Sequence, residues 1–466
     1  MTFLIFLTGY FALILAASFA FSRKMRSLED FFLASRSLPA FLVFLSLAAS
    51  WLGATSTLVS LDEAYAKGVS SFWVMGVPSV LTVLVFVFFL ARPIKKLPIV
   101  TLPDLFEMRY GRAVRHMTSL LIVWYMILLA ASQMVAVGNF LKSLLGTSYF
   151  AGLLLGTSVV LVYSVAGGFF SVVVTDGFQF FLLATGIAGL LFFLLGDSSL
   201  NQVSVAAVQL GKAGYFDFLY DLEKNIWIAV SFTLAWIISP IVWQRIHASR
   251  SEQDARGGLA SSGIAFVLFF GGIVLIGMLC LPLMRVSPQE GPLLSSLVAT
   301  KTGIVLGGLL FVGIIAAVMS TMDTAINTGA MSLTRDVFLQ FFSPDRLKNV
   351  VQVSRWATVL VGLLAFLIAT RMQGILKTLG LASEIMTEGL FVPGLAMIFL
   401  KRRFPTAGFL SLCLGGGYSV IGFLNQVGFL DWGWPEWPFS VPYGLALSFS
   451  GFLMGVLIDV RIRKEA

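Results

Sequence analysis

The chain has 466 residues, of which 58% are hydrophobic and only 12% are charged, and its mean hydropathy is +0.93. This composition excludes an ordinary soluble domain and indicates a polytopic membrane protein. The net charge of +8 is expected to orient the protein in its membrane, because no basic and aromatic platform for nucleic acid accompanies it.

Apolar runs of about 18 or more residues predict thirteen membrane-spanning helices in a single membrane domain that covers residues 1–466. We number them spans 1 to 13. The predicted spans are residues 2–21, 39–60, 72–91, 117–141, 148–166, 172–196, 225–244, 258–284, 303–333, 353–370, 374–400, 406–424 and 441–460.

Basic residues divide unevenly between the two sides of this predicted bundle. If the N-terminus is outside, 23 of the 31 Lys and Arg residues fall on the inner side. Loops rich in Lys and Arg stay in the cytoplasm, so the sequence predicts an outside N-terminus and a cytoplasmic C-terminus in the plasma (cell) membrane.

Several catalytic chemistries have no support in the sequence. Cys280 and Cys413 fall in separate apolar spans, so a disulfide framework is not expected. The chain contains no GxxxxGK[ST] phosphate loop, no HExxH pair and no CxxC motif. We therefore expect a carrier that draws its energy from an ion gradient and no enzymatic activity.

Two predicted spans are poorly suited to a continuous helix. Span 2 contains weak helix formers in SLAASWLGATSTLVS, and span 7 contains Pro240 directly after Ser239. Each of these spans begins a block of five spans, residues 39–196 and 225–400, and the two blocks have opposite orientation. This pattern predicts a five-plus-five inverted repeat with a midplane site. The peripheral helices would then be residues 1–21, 406–424 and 441–460.

Span 9 contains the string AAVMSTMDTAIN, whose one carboxylate is Asp323. On a helical wheel, Ala317, Ser320 and Thr321 share a stripe, and two hydroxyls with exposed carbonyls can ligate a small, hard cation. An alternative is that the hydroxyls bond back to carbonyls one turn earlier or join two helices. Asp323 points to the adjacent side, where it is expected to add negative potential or to bond Asn327 and a facing helix.

The string YSVAGGFFSVVVTDGFQ predicts a Gly-Gly turn between spans 5 and 6 and places Asp176 near the start of span 6. Two interpretations are open. Asp176 can stabilise the start of the helix through its dipole, or it can be an acid on the inner side of an ion's exit route. Both can hold together.

These motifs resemble the signatures of the sodium:solute symporter family. YSVAGGFFSVVVTDGFQ and AAVMSTMDTAIN look like two family signatures, and RSLPAFLVFLSLAAS, LPDLFEMRYG and WQRIHASRSEQDAR also agree, all in order. Together they run through most of residues 30–410. The family includes sodium-coupled carriers of proline, pantothenate, sugars and sialic acid, built on the inverted repeat also found in the bacterial leucine transporter.

The resemblance implies a leucine-transporter-like, all-α fold in which spans 2 and 7 are the broken first and sixth core helices. It also implies that sodium is the co-transported ion. Asp176 matches the family's acid after Thr and is expected to help the ion leave toward the cytoplasm. The implied sodium ligands are carbonyls of Ala49, Leu52 and Ala317 and side chains of Ser320 and Thr321.

The resemblance does not transfer a substrate, because Ser239 and Pro240 depart from the residues that sugar, proline and pantothenate carriers show at this break. Candidate solute-binding residues on core helices are Ser50, Trp51, Gln133, Trp236 and Ser239, and packing roles are equally open for Gln133 and Trp236. For Glu384 and Glu388, one turn apart in span 11, three roles are open: an aqueous vestibule, a second cation, or a cationic substrate.

The sequence thus predicts a sodium-coupled secondary active symporter that imports a small organic solute by alternating access. Its expected partners are sodium, the solute and the lipid bilayer, with no nucleic acid and no obligatory protein partner. Two alternatives stay open. One is a transporter-like sensor or receptor that signals through a partner, and the other is a proton-coupled carrier that relies on Asp176, Asp323 or the glutamates.

Overall fold

The computed structural model describes residues 2–22, 36–97, 99, 101–284, 291–341, 350–400 and 402–465, without the side chains of residues 2, 17–22, 166–171, 341 and 463–465. Most described residues are helical. In chain order the helices are Thr2–Ser22, Ala40–Trp51, Thr55–Val59, Ser60–Lys67, Gly68–Ser71, Phe72–Val85, Phe86–Leu90, Ala91–Lys95, Leu102–Tyr110, Arg112–Leu145, Tyr149–Asp197, Leu200–Gln209, Leu222–Ile237, Pro240–Ala248, Glu252–Leu279, Leu293–Thr300, Ile304–Ser332, Leu333–Phe338, Leu339–Phe341, Val350–Arg371, Ile375–Glu384, Ile385–Phe391, Val392–Phe399, Pro405–Ser411, Leu412–Gly416, Gly417–Gln426 and Val441–Glu465.

The described residues contain ten helices that are long and apolar enough to cross a membrane, and three shorter apolar helices. The predicted all-α, multi-span architecture is therefore confirmed, while the count of thirteen spans stays a prediction. Spans 4, 7 and 9 lie at the centre, because 83%, 78% and 78% of their most apolar windows are buried, against 33% for the last span.

Span 2 is broken where the sequence predicts weak helix. The helix Ala40–Trp51 ends at Leu52, whose φ of −90° and ψ of 47° leave the helical region. A π-helical turn, Thr55–Val59, follows before the helix Ser60–Lys67 begins. Turns of this kind are frequent at functional sites.

Span 7 is broken at the predicted Ser-Pro pair. The helix Leu222–Ile237 ends at Ile238, and a second helix, Pro240–Ala248, begins with proline in its first turn. Proline has no amide hydrogen to continue the ladder of the previous helix, but its φ suits the first turn of a new one. Spans 2 and 7 are thus both discontinuous, as expected for the two first helices of an inverted repeat.

Spans 5 and 6 form one helix, Tyr149–Asp197, so the predicted Gly-Gly turn does not interrupt the helix. Ser164 donates a hydrogen bond to Asp323, and Asp176 accepts one from Ser320 at 2.7 Å, so both reach the same part of span 9. In a straight helix these two residues would be about 18 Å apart. The predicted Gly-Gly turn itself falls in the stretch whose side chains lie outside the described part.

The two broken spans are tied together at one end of the bundle. The Leu38 amide donates to the Ala248 carbonyl at 3.0 Å, and the Arg250 amide donates to the Leu38 carbonyl at 2.8 Å. Asp254 accepts from the Ala40 amide at 3.0 Å and from the Arg250 side chain at 3.0 Å. These contacts connect the start of span 2 to the end of span 7.

An ion-pair network closes the same end between spans 4 and 9. Arg115 lies 3.1 Å from Asp104 and 3.4 Å from Asp336, and Arg335 lies 2.8 Å from Asp104. Asp104 belongs to the short helix Leu102–Tyr110 that connects spans 3 and 4. The network therefore holds this connecting helix against the end of span 9.

At the opposite end, the loop before span 7 packs on the end of span 2. Lys212 donates to the Ala66 carbonyl at 2.7 Å and lies 5.6 Å from the ring centres of Tyr65 and Tyr215. A cation is favourable at a helix C-terminus, and burial lowers the pKa of Lys212. Gly68 has a φ of +68°, and a side chain there would collide with the Tyr215 carbonyl.

Candidate functional site

A narrow cavity lies beside the break in span 2. Its volume is about 30 Å³, which holds one or two waters, so a solute requires the lining groups to move. The lining residues come from spans 2, 3, 4, 7, 9 and 11. They are Ser50, Trp51, Gly53, Thr55, Ser56, Met75, Tyr125, Leu129, Gln133, Trp236, Ile241, Thr321 and Leu379.

Four of the five predicted solute-binding residues lie on this cavity: Ser50, Trp51, Gln133 and Trp236. The fifth, Ser239, is buried at the break in span 7 but does not belong to the lining. The structure therefore brings most of the predicted set together. Binding of a solute by these residues stays a prediction.

One wall of the cavity is a column of stacked aromatic rings. The ring of Trp51 lies 4.8 Å from that of Trp236 and is stacked on Phe266 at 5.4 Å with an interplanar angle of 11°. Trp236 in turn is stacked on Phe232 at 5.3 Å. Since both tryptophans line the cavity, their packing contacts also fix the orientation of the wall.

Gln133 holds the break in span 2. Its Oε1 accepts a hydrogen bond from the Ala54 amide at 2.9 Å, and its Nε2 donates to the Ser132 hydroxyl at 3.0 Å. In a continuous helix the Ala54 amide would bond the Ser50 carbonyl instead. Only glycine fits at position 53, since a Cβ would lie 2.6 Å from Oε1 of Gln133.

We expect Gln133→Leu to lower the melting temperature of the purified protein by a few degrees. The substitution removes the acceptor of a buried amide, and an unsatisfied buried donor costs about 1–3 kcal/mol. Thermal unfolding in detergent measures the effect. Gln209→Leu, the same change at an exposed position, is the control, and equal melting of both variants and the wild type would refute the role.

Spans 2 and 9 meet where the sequence places the sodium site. Ala49 and Leu52 flank the break, and Thr321 faces it, since a Cβ on Gly53 would lie 2.4 Å from the Thr321 hydroxyl. The Thr321 hydroxyl donates to the Ala317 carbonyl at 3.3 Å, a long bond that an ion can replace. Backbone and hydroxyl oxygens are the donor set that suits a hard cation.

Ser320, the other predicted sodium ligand, connects the site to Asp176. Its hydroxyl donates to Asp176 Oδ1 at 2.7 Å, and the Ser46 hydroxyl donates to Oδ2 at 2.9 Å. Asp176 is fully buried. In this structure the Ser320 hydroxyl joins span 9 to Asp176 of span 6. Joining two helices is the alternative role that the sequence left open for these hydroxyls.

Arg245 completes this cluster. Its Nη2 lies 3.8 Å from Asp176 Oδ2, its Nε donates to the Ser46 hydroxyl at 3.1 Å, and Nη2 donates to Ser50 at 2.5 Å and Thr324 at 3.3 Å. The side chain is only 1% exposed. A guanidinium group is therefore buried within the predicted ion path, joined to spans 2, 6 and 9.

Arg245 is not among the predicted site residues, because the predicted span 7 ends at residue 244 and Arg245 then counts as one of the basic residues on the inner side. Two features of the sequence indicate a position inside the membrane instead. Arg245 lies only five residues after Pro240, inside the second half of the broken helix. Asp176, a carboxylate at membrane depth, also requires a cationic or hydrogen-bonding partner.

Asp323 reaches a facing helix, as predicted. Its Oδ1 accepts a hydrogen bond from the Ser164 hydroxyl of span 5, and the neighbouring Tyr163 hydroxyl donates to the Met319 carbonyl at 3.3 Å. The predicted bond to Asn327 is not formed, because within the described residues the buried Asn327 amide has no hydrogen-bond partner. Asp323 therefore anchors span 5 to span 9.

A family model for the sodium:solute symporter family matches residues 31–416. The chain belongs to this family. A sodium/glucose cotransporter of Vibrio parahaemolyticus is 26% identical over 85% of this chain and 79% of its own length. The high-affinity choline transporter 1 of Drosophila melanogaster is 24% identical over 89% of this chain and 70% of its own length.

Among solved structures, the chain is similar to a substrate-bound, outward-open sodium-coupled sialic acid symporter. The TM-score is 0.79 at 19% identity, and the match covers 98% of both chains. At this identity the likeness shows the fold. The family resemblance and the leucine-transporter-like, all-α fold are thus confirmed, and the protein is a multi-pass membrane protein of a sodium-coupled symporter family.

Proposed function

We propose that this chain is a secondary active carrier of the plasma membrane that imports a small organic solute together with sodium. The observation that supports it most is the meeting of the span 2 break with Thr321 beside a cavity lined by four of the five predicted solute-binding residues. Residues 39–196 and 225–400 are the two repeats in this proposal, with the N-terminus outside and the C-terminus in the cytoplasm.

The proposed sodium ligands are the carbonyls and hydroxyls already described around the break. A sodium ion there would hold spans 2 and 9 together and order Ser50 and Trp51, which belong to both the break and the cavity. Binding of the ion would then favour binding of the solute. Coupling of this kind typically amounts to about 1–3 kcal/mol.

Arg245 and sodium are proposed to compete for the negative charge of Asp176. Ser320 contacts Asp176 directly and is a proposed sodium ligand, so an ion at Ser320 lies next to this carboxylate. When the guanidinium approaches Asp176, it supplies the positive charge that the departing ion removes. This exchange would ease release of sodium toward the inner side.

In this proposal the end of the bundle that carries Leu38, Ala248 and Arg115 is the inner end, and its contacts close the pathway there. The strand-like pairing of Leu38 with the end of span 7 and the ion pairs of Arg115 join the helices that would separate. We propose that inward opening breaks these two sets of contacts. Each contact is small, so the solute and the ion can shift the equilibrium by differential binding.

The cavity lining favours a solute with an ammonium group. Trp51, Tyr125 and Trp236 contribute aromatic rings to the lining, and none of the lining residues of this cavity carries a charge. Aromatic rings attract a desolvated organic cation. A carboxylate would find no charged residue in the lining, and the Arg245 guanidinium behind Ser50 is already engaged by Asp176. The name of the Drosophila relative, a choline transporter, agrees with this class.

A thermal-shift screen of the purified protein tests the solute class. We expect small quaternary and tertiary ammonium compounds to raise the melting temperature more than sugars or carboxylates, and only in sodium buffer. A ligand present at about 100 times its dissociation constant contributes about 2.7 kcal/mol. A larger shift with a sugar or a carboxylate, or equal shifts in potassium buffer, would overturn the assignment.

A further inference from the structure

Glu384 and Glu388 form a buried carboxyl pair that lies away from the proposed sodium site. They are 3% and 0% exposed. Glu384 directly precedes the π-helical turn Ile385–Phe391 in span 11, and Glu388 lies within it, one turn later. The pair faces spans 12 and 13. Neither the proposed sodium site nor the solute cavity uses them.

The pair has no basic partner. Glu384 Oε1 accepts a short hydrogen bond from the Ser440 hydroxyl, while both carboxyl oxygens of Glu388 are buried without any hydrogen bond in the described residues. No Lys, Arg or His of the described chain forms an ion pair with either residue. The titratable groups that face the pair are Tyr418 in span 12 and Tyr443 in span 13, and neither can become positively charged.

Neighbouring helices pack closely against Glu388. A Cβ on Gly444 would lie 2.2 Å from Glu388 Cδ, and a Cβ on Gly415 would lie 2.0 Å from the Glu388 carbonyl oxygen. Two glycines of the neighbouring helices thus pack directly against this residue. Such a tightly packed site suits a proton, which needs no coordination shell.

We propose that Glu384 and Glu388 form a proton-binding site, in which at least one of the two carboxyl groups carries a proton. A buried carboxylate without a partner is costly, and two adjacent negative charges add repulsion, so the pair lowers its energy by taking up a proton. The sequence left three roles open for Glu384 and Glu388. This proposal corresponds to the role of binding a second cation, and that cation is a proton.

Protonation of the pair is coupled to the position of span 7. Between the two glutamates, the Thr387 hydroxyl donates to the Ser231 carbonyl of span 7 at 2.7 Å. Trp437, in the loop that also carries Ser440, donates to the Ser231 hydroxyl at 3.1 Å. Loss of the proton would push the glutamates apart and loosen this contact, so a rise in external pH is expected to slow transport.

The test compares wild type, Glu388→Gln and Glu223→Gln, a control at an exposed glutamate. Because the folded wild type holds a proton that the unfolded chain releases above about pH 4.3, its stability falls as the pH rises. We expect Glu388→Gln to melt about 3 °C or more above wild type at pH 8.5, with a smaller gap at pH 5.5. Glu223→Gln should follow wild type at every pH.

Infrared difference spectra provide an independent readout. We expect the band of a protonated carboxyl group at neutral pH in wild type, and its loss in Glu388→Gln. If that variant does not fold, Glu384→Gln removes the neighbouring charge and should shift the loss of the band to lower pH. The proposal is overturned if the variants keep the wild-type pH dependence, or if sodium at pH 8.5 stabilises wild type but not Glu388→Gln, which would indicate a metal site.

Discussion

In sodium-free buffer, Arg245→Gln is expected to melt several degrees below wild type, and sodium is expected to restore most of the loss. The substitution leaves Asp176 buried with only hydroxyl donors, and removal of one partner of a buried ion pair costs about 3–5 kcal/mol. Sodium can take the place of the guanidinium near the carboxylate. The sodium-dependent shift should therefore be larger in the variant than in wild type.

The measurement is thermal unfolding in matched sodium and potassium buffers, followed by uptake assays. Asp176→Asn should show the opposite pattern, a weak sodium response, because it removes the charge for which the two cations compete. Asp197→Asn is the control, because Asp197 lies at the exposed end of the helix Tyr149–Asp197 that also carries Asp176. An Arg245→Gln deficit that sodium leaves unchanged would rule out competition between the guanidinium and the ion.

Thr321→Val and Ser320→Ala are each expected to raise the sodium concentration for half-maximal uptake by about tenfold or more, equivalent to about 1.4 kcal/mol. Each removes one proposed ligand oxygen. Thr321→Val keeps the shape of the side chain, so it isolates the hydroxyl. Ser320→Ala also removes a hydrogen bond to Asp176, and its effect should be at least as large.

Thr358→Val is the matched control for these variants. Thr358 is buried in span 10, and its hydroxyl donates to the Ser354 carbonyl one turn earlier at 2.9 Å. The Thr321 hydroxyl donates to the Ala317 carbonyl in the same way. If these hydroxyls act only in local hydrogen bonds, all three variants should show the same modest change in sodium dependence. Unaltered sodium dependence in both site variants would remove the proposed site.

The sequence predicts the two breaks well because their causes are local. Pro240 cannot continue a helix, and weak helix formers around Gly53 make span 2 easy to interrupt. The meeting of Thr321 with that break follows from a family resemblance, and it depends on the close approach that glycine permits. The two breaks could be located without knowledge of any neighbour in space.

Contacts between distant spans could not be predicted in this way. Arg245 reads as a loop residue by charge alone, and its role depends on Asp176, which is 69 positions earlier and only 3.8 Å away. Gln133 reads as a binding or packing residue, yet it accepts the Ala54 amide at the break. Asp323 accepts a hydrogen bond from Ser164 of a facing helix and not from its own helix neighbour, and this choice depends on how span 5 packs against span 9.

The central claim, sodium-driven import, is tested most directly by accumulation of the solute found in the screen into proteoliposomes. We predict accumulation above the external concentration with an inward sodium gradient, and none with a proton gradient at equal sodium on both sides. Accumulation driven by the proton gradient alone would show a proton-coupled carrier. Sodium-dependent binding without accumulation would show a receptor, and either result would contradict the account.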